Sequence, residues 1–144
     1  MKIKVLTFLP EAKTTYLNIP VVLKSPRSGF MRVKAIIDTG SPETIIGYEE
    51  AMALQIPFSN VATEKFINLG GSKYAASTFN RLTMIFKDEE EKAVQESINV
   101  CVLKPTSDKQ KMQGFSLLLG TDFLRERGYK LFCDMKNDLA YLEK

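Results

Sequence analysis

Polar and apolar residues alternate with a period of two along most of this chain, the spacing that sets one face of a strand against a core and the other in water. In TTYLNIPVVL, Leu17, Ile19, Val21 and Leu23 fall on one face. In FMRVKAII, Met31, Val33, Ala35 and Ile37 share a face while Arg32 and Lys34 point the other way. Between these runs KSPRSG carries Pro and Gly and predicts a hairpin turn. Further strands are predicted over residues 82–86, 94–103, 115–119, 129–134 and 139–142, the last two joined by the turn-forming tetrapeptide MKND. Helical spacing is confined to two short segments. Residues 47–55 place Ala51 and Leu54 on one face, and residues 121–128 open with Thr and Asp and close with Gly. KDEEEK (residues 87–92) reads as a solvated hairpin tip and KPTSDKQKMQG (residues 104–114) as a polar loop. The expected fold class is mostly β, a single domain over residues 1–144 with two short helices.

Composition narrows the chemistry. With 144 residues the chain is long enough to bury a core without disulfides or a metal. Net charge is +3 with Lys and Arg scattered, so no basic stripe predicts a nucleic-acid partner. There is no histidine, which removes Ser-His-Asp and Cys-His catalysis and His-based zinc sites within one chain. Cys101 and Cys133 lie far apart in apolar runs and are expected to be reduced core residues. No apolar run reaches the ~20 residues of a membrane-spanning helix, and the apolar stretch in MKIKVLTFLPEAK is too short for a secretory signal. The expectation is a soluble, cytoplasmic protein that binds neither membrane nor nucleic acid.

The chemistry concentrates in AIIDTGSPETIIG, residues 35–47. An apolar strand ends in Asp38-Thr39-Gly40, and the chain turns apolar again at Ile45. Alone, Asp-Thr-Gly is also how an ordinary strand-ending turn is written. About eighty residues on, SLLLGTDFLRERG again runs from an apolar strand through Gly120 into a short helix. Between the two, FINLGGSKYAASTF offers a hairpin with Gly70-Gly71 at its tip.

In that order, from Phe30 to Asp134, the pattern resembles the retropepsin-like aspartic proteases, and the cellular and prokaryotic members more than the viral ones. Leu118-Leu119-Gly120 matches the apolar-apolar-Gly element that packs beside the aspartate loop, and Asp122 matches the Asp or Asn that often follows. The resemblance implies an acid-protease barrel and a two-fold homodimer, because one chain holds one Asp-Thr-Gly. Two carboxylates sharing a proton supply both the base that activates water and the acid that protonates the substrate. A symmetric dimer sets one Asp38 from each chain face to face. The activity implied is that of an aspartic endopeptidase acting on protein or peptide, with no metal and no cofactor.

By resemblance, Asp38, Thr39 and Gly40 form the catalytic loop. Ile36, Ser41, Ile45, Gly70, Gly71 and Leu118 contact substrate, the two glycines at the tip of a covering flap. Several of these residues also have a plainer role. Gly70-Gly71 suits any hairpin turn, Thr39 any strand end, and Tyr74 cross-strand packing. Asp122 reads as a helix cap rather than a catalytic acid, and Glu43 as an exposed loop acid. Viral members pair an acid two places after the catalytic Gly with an arginine after the later Gly. Here those positions are Pro42 and Thr121, so other contacts must replace that pair. The N-terminal segment and the C-terminal hairpin are candidates for a different dimer interface. The competing function is a peptide- or protein-binding module on the same fold that does not cleave.

Overall fold

A computed structural model describes residues 1–10, 12–58 and 65–144. The alternation at the N-terminus, MKIKV, already makes a strand: β1 (Lys2–Val5) buries Ile3 and Val5 and turns its lysines outward. The predicted hairpin follows as β2 (Asn18–Lys24) and β3 (Phe30–Ile37), antiparallel in the register Val21 to Val33. After the aspartate loop come β4 (Ile45–Ile46) and α1 (Tyr48–Ala53). The second hairpin is β5 (Lys65–Leu69) and β6 (Ser72–Lys87), and β6 turns through the KDEEEK tip into β7 (Ala93–Lys104). The chain closes with β8 (Leu117–Leu119), α2 (Thr121–Arg127), β9 (Lys130–Asp134) and β10 (Leu139–Glu143).

Six of these strands close on themselves. The order runs β2, β3, β8, β4, β7, β6, and β6 returns to β2 where Thr83 to Ile85 lie against Val22 to Lys24. β5 hangs outside this barrel on the edge of β6. β8 is the strand that explains the site, since it lies parallel to β3 on one side and antiparallel to β4 on the other. A strand enclosed on both faces needs a continuous apolar run rather than alternation, and all three leucines of β8 are buried. The segment between β3 and β4 must therefore cross over the end of β8, and Asp38 is on that crossing.

β1, β10 and β9 form a second, three-stranded sheet. It shares one core with the barrel, in which Ile3, Val5, Ala140 and Leu142 meet Leu23, Leu82, Leu117 and Leu119. The helices are shorter than their sequence patterns. α1 begins after Gly47, where a Cβ would stand 2.6 Å from the Phe115 carbonyl oxygen. α2 ends at Gly128 with φ +72, the left-handed stop that its glycine predicts.

Two expectations need correction. Cys101 is buried, but Cys133 is exposed: it lies on the edge strand β9, on the same face as Leu131 but past the point where that face packs against the core. Asp122 does not cap α2 from the position before the helix; Gly120 stands there, with no side-chain cap. No helix among the described residues is long and apolar enough to cross a membrane. Glu11, inside the N-terminal segment read above, lies outside the described residues.

Candidate active site

β3 and β8 part company at Asp38, whose N–H makes the last bond of the ladder, 2.9 Å to the Leu119 carbonyl. Beyond it the backbone folds into a tight turn. The Ser41 N–H donates to the Asp38 carbonyl at 3.1 Å, and the Gly40 N–H donates to the Asp38 carboxylate at 2.9 Å. A Cβ on Gly40 would sit 3.1 Å from that same carboxylate oxygen, so glycine lets the side chain and the backbone approach this closely.

The far limb of the loop is held by a second set of bonds. Thr44 is buried; its hydroxyl donates to Asp122 Oδ1 at 2.7 Å and accepts from the Gly120 N–H at 3.1 Å. The Thr44 N–H donates to Asp122 Oδ2 at 3.0 Å, and the Phe123 N–H to Oδ1 at 2.7 Å. Asp122 thus spends its carboxylate tying the loop to α2. Gly120 lies where a Cβ would come within 2.5 Å of the Glu43 backbone. Thr121, which occupies the place of the viral arginine, donates its N–H to the Ser41 carbonyl at 2.9 Å. A backbone bond stands where viral members use an ion pair.

Opposite the loop lies the β5–β6 hairpin. Its tip, Gly70-Gly71, has φ of +55 and +80, the two successive positive values that a two-residue turn of this kind requires. Ile67 and Leu69 point inward and rest on a small cluster of Ile45, Tyr74, Cys101, Leu103 and Leu118. Between hairpin and loop is a cavity of about 270 Å³, lined by Asp38, Gly40, Ser41, Pro42, Glu43 and Ile45 on one side and residues 66–69 on the other.

One ion pair bridges that cavity. Lys65, at the start of β5, donates to Glu43 on the aspartate loop, and the Cys101 thiol donates to the other Glu43 oxygen at 3.5 Å. Burial, with the Glu43 charge beside it, pushes the Cys101 thiol up to about 11, so it stays protonated and inert. Burial acts to lower the Lys65 ammonium, but its hydrogen bond to Glu43 and the neighbouring thiol outweigh that and raise it. Glu43 is therefore a half-buried, paired group rather than a free loop acid.

The structure brings Asp38, Gly40, Ser41 and Ile45 to one cavity. Thr39 is exposed on the turn beside it. Ile36 is not on this cavity; it borders a broad groove on the other side of β3, with Pro20, Lys34 and Phe115. Leu118 lies one layer down, supporting the inward residues of the hairpin. Gly70 and Gly71 form the tip and do not line the cavity wall, and Tyr74 is buried opposite Ile67. Sequence reasoning missed Lys65, the wall formed by residues 66–69, and the role of Thr44. A threonine directly before two isoleucines carries no local mark of a contact 78 residues away. Among the described residues no group of Cys, Asp and Glu is placed to hold a metal ion.

Comparison with known proteins supplies the frame for this geometry. No family model matches the chain, and no curated protein does. Solved structures do. The retroviral protease-like domain of Ddi1 from Leishmania major is similar at TM-score 0.55 and 17% identity, over 89% of this chain and 88% of that one. A retropepsin-like aspartic protease from Rickettsia conorii is similar at TM-score 0.56 and 18% identity, over 99% of this chain and 89% of that one. At such identity the likeness is one of fold, and this chain has the retropepsin-like fold: a mostly-β closed barrel with two short helices.

Proposed function

We propose that the protein is a homodimeric aspartic endopeptidase, a single domain over residues 1–144, in which Asp38 of two chains together hydrolyse a peptide bond. The observation that carries the reading is the position of Asp38: it leaves the ladder where two buried strands part and borders a 270 Å³ cavity beneath a hairpin. The fold neighbours, one a retroviral protease-like domain and the other a retropepsin-like aspartic protease, support it.

In this reading one carboxylate takes a proton from water while the other, protonated, donates to the carbonyl oxygen of the scissile bond. Two like charges at such close range cannot both ionise, so the shared proton follows from the pairing. Thr39 and Gly40 hold the turn, and Ser41 and Ile45 border the substrate. Gly70 and Gly71 let the hairpin close over an extended peptide that adds to the edge of β5, along which no strand lies among the described residues. Ile36 and Leu118 act at the margins of the site. Ile36 would meet substrate only where the groove beside β3 is completed by the partner. No metal, cofactor, nucleic acid or membrane takes part, and the two free thiols accord with a reducing, cytoplasmic location.

The test is cleavage of unfolded casein by wild type and by Asp38→Asn. The amide keeps the shape of the carboxylate but can neither accept the water proton nor share one. Expected is loss of cleavage with an unchanged circular dichroism spectrum, and binding of one statine-type inhibitor per two wild-type chains. Equal cleavage by folded Asp38→Asn would end the reading. A wild type that binds peptides but never cleaves them would favour the binding module instead.

A further inference from the structure

The hairpin opposite Asp38 is only partly built into the barrel. β6 pairs with β7 from Ala75, opposite Lys104, onward. Residues 72–74 have no partner on β7 and pair only with residues 67–69 of β5. A two-stranded ribbon is marginal by itself. This one rests on the barrel rim through Ile67, Leu69 and Tyr74, which pack with Ile45 and Leu118, and through a 3.4 Å bond from Gln110 to the Lys73 carbonyl. Apolar packing has no direction, so it holds the ribbon down without fixing where it stands.

Direction is supplied at the base. Lys65 lies opposite Ala76, which pairs with Leu103, at the level where the ribbon joins the barrel. Its Nζ donates to Glu43 Oε1, and the other Glu43 oxygen accepts from the Cys101 thiol at 3.5 Å. The Glu43 backbone is held in place. The Ser41 hydroxyl donates to its carbonyl at 2.7 Å, and it crosses Gly120 where a Cβ would come within 2.5 Å. One half of the ion pair is thus set in the aspartate loop and the other in the hairpin. From Lys65 to the tip at Gly70 is about 16 Å of strand, so a tilt of about 10° at the base carries the tip about 3 Å, the length of a hydrogen bond.

We propose that Lys65 and Glu43 are positioning residues, a pin at the base of the hairpin that sets it in register over Asp38. The inference rests on the peptidase reading above, and adds the contact through which the aspartate loop places the hairpin. The Lys65 and Glu43 side chains are 38% and 31% exposed, and a pair this open to water shifts an equilibrium by up to about fivefold. Its role is therefore placement rather than stability of the fold. A hairpin without the pin samples other tilts, and substrate binds only the fraction in register. KM rises by that factor, while the complex, once formed, reacts as before.

Amide exchange and kinetics on the full-length chain test it. Lys65→Met keeps most of the side-chain stem and removes the charge; Glu43→Gln removes the charge and keeps an acceptor for the Cys101 thiol. In either variant the amides bonded between β5 and the start of β6 are expected to exchange about threefold faster, while those of β2, β3 and the β6–β7 ladder beyond Leu82 keep their wild-type rates. KM for a peptide substrate should rise by about the same factor, with kcat within about twofold of wild type. Lys65→Arg keeps charge and reach and should match wild type in both measurements. The double variant should be no worse than either single one, because both remove the same contact. Unchanged exchange in Lys65→Met, faster exchange throughout the barrel, or a loss of kcat at constant KM would each overturn the proposal. So would effects that add in full in the double variant, since Glu43 would then touch substrate in its own right. The two readings fail separately, because exchange is read without substrate. A hairpin that loosens as expected in a protein that neither cleaves nor binds peptide removes only the peptidase. Cleavage by Lys65→Met with wild-type KM removes only the pin.

Discussion

Thr44→Val should loosen the aspartate loop without opening a cavity, because valine has nearly the shape of threonine. What it removes is the hydroxyl that donates to Asp122 at 2.7 Å and accepts from the Gly120 N–H at 3.1 Å. Thr44 is 1% exposed, so water does not reach the groups left behind. The Gly120 N–H becomes a buried donor without a partner, at a cost of ~1–3 kcal/mol. Asp122 keeps two backbone donors, Thr44 N and Phe123 N, so its loss is put at the low end for a bond to a charged group, ~1.5 kcal/mol. The expected sum is ~2.5–4.5 kcal/mol, a fall in Tm on the order of 10 °C for a chain of this size. Thr44→Ser keeps the hydroxyl and loses one methyl, so ~1 kcal/mol is expected. Urea unfolding of the three proteins, followed by circular dichroism, gives the order directly. If Thr44→Val unfolds within ~0.5 kcal/mol of wild type, or Thr44→Ser is the weaker of the two, the bonds described here do not hold the loop.

Gly120→Ala brings a methyl within 2.5 Å of Glu43 backbone atoms, and overpacking of this kind costs ~1–3 kcal/mol; a Tm equal to wild type would contradict the close crossing of loop and α2. Gly71→Ala at φ +80 should strain the hairpin tip by ~1 kcal/mol and raise amide exchange in β5 while leaving the barrel protected; uniform exchange across both would show that the hairpin does not open separately. The Cys101 thiol holds its proton to about 11 in the folded chain against 9.0 when unperturbed, so the folded state binds that proton more tightly. Its contribution is complete below pH 9 and is lost as pH rises through 9 to 11, ~3 kcal/mol at most, and Cys101→Ala should flatten that alkaline loss. At pH 8 a thiol reagent should modify Cys133 alone in the folded protein, and rapid labelling of both thiols would refute the burial of Cys101.

The strands with simple alternation were legible. β2, β3, β7 and β10 lie within a few residues of their sequence patterns, because one face of each meets the core and the other meets water. β6 was read in two pieces, its start as the return arm of the Gly70-Gly71 hairpin and its second half as a separate strand. Its first half carries Ser77, Thr78, Asn80 and Arg81, and the ladder to β7 slips between Phe79 and Leu82, which breaks the period. β1 was not among the predicted strands, since four residues hold too little pattern to stand alone; their strand exists because β10 returns beside them from the far end of the chain. The turn from Asp38 to Gly40 was legible, because Asp and Gly are the residues a strand-ending turn asks for. Its supports were not. Thr44 to Asp122, Thr121 to Ser41 and Lys65 to Glu43 are pairs made by the fold, and nothing within a few residues of any member marks its partner.

Those supports bear on how a two-chain site can assemble. In viral retropepsins, which the sequence resembles less than the cellular and prokaryotic members, an ion pair beside the catalytic loop links loop and dimer. Here Pro42 and Thr121 stand in its place, and the loop is tied down within its own chain by Thr121 to the Ser41 carbonyl and by Thr44 between Asp122 and Gly120. In the two-chain reading proposed above, each chain would present Asp38 on a loop already tied down within that chain, and association would not have to order it. Binding between rigid halves avoids that ordering cost, so a modest interface is enough to hold the pair together.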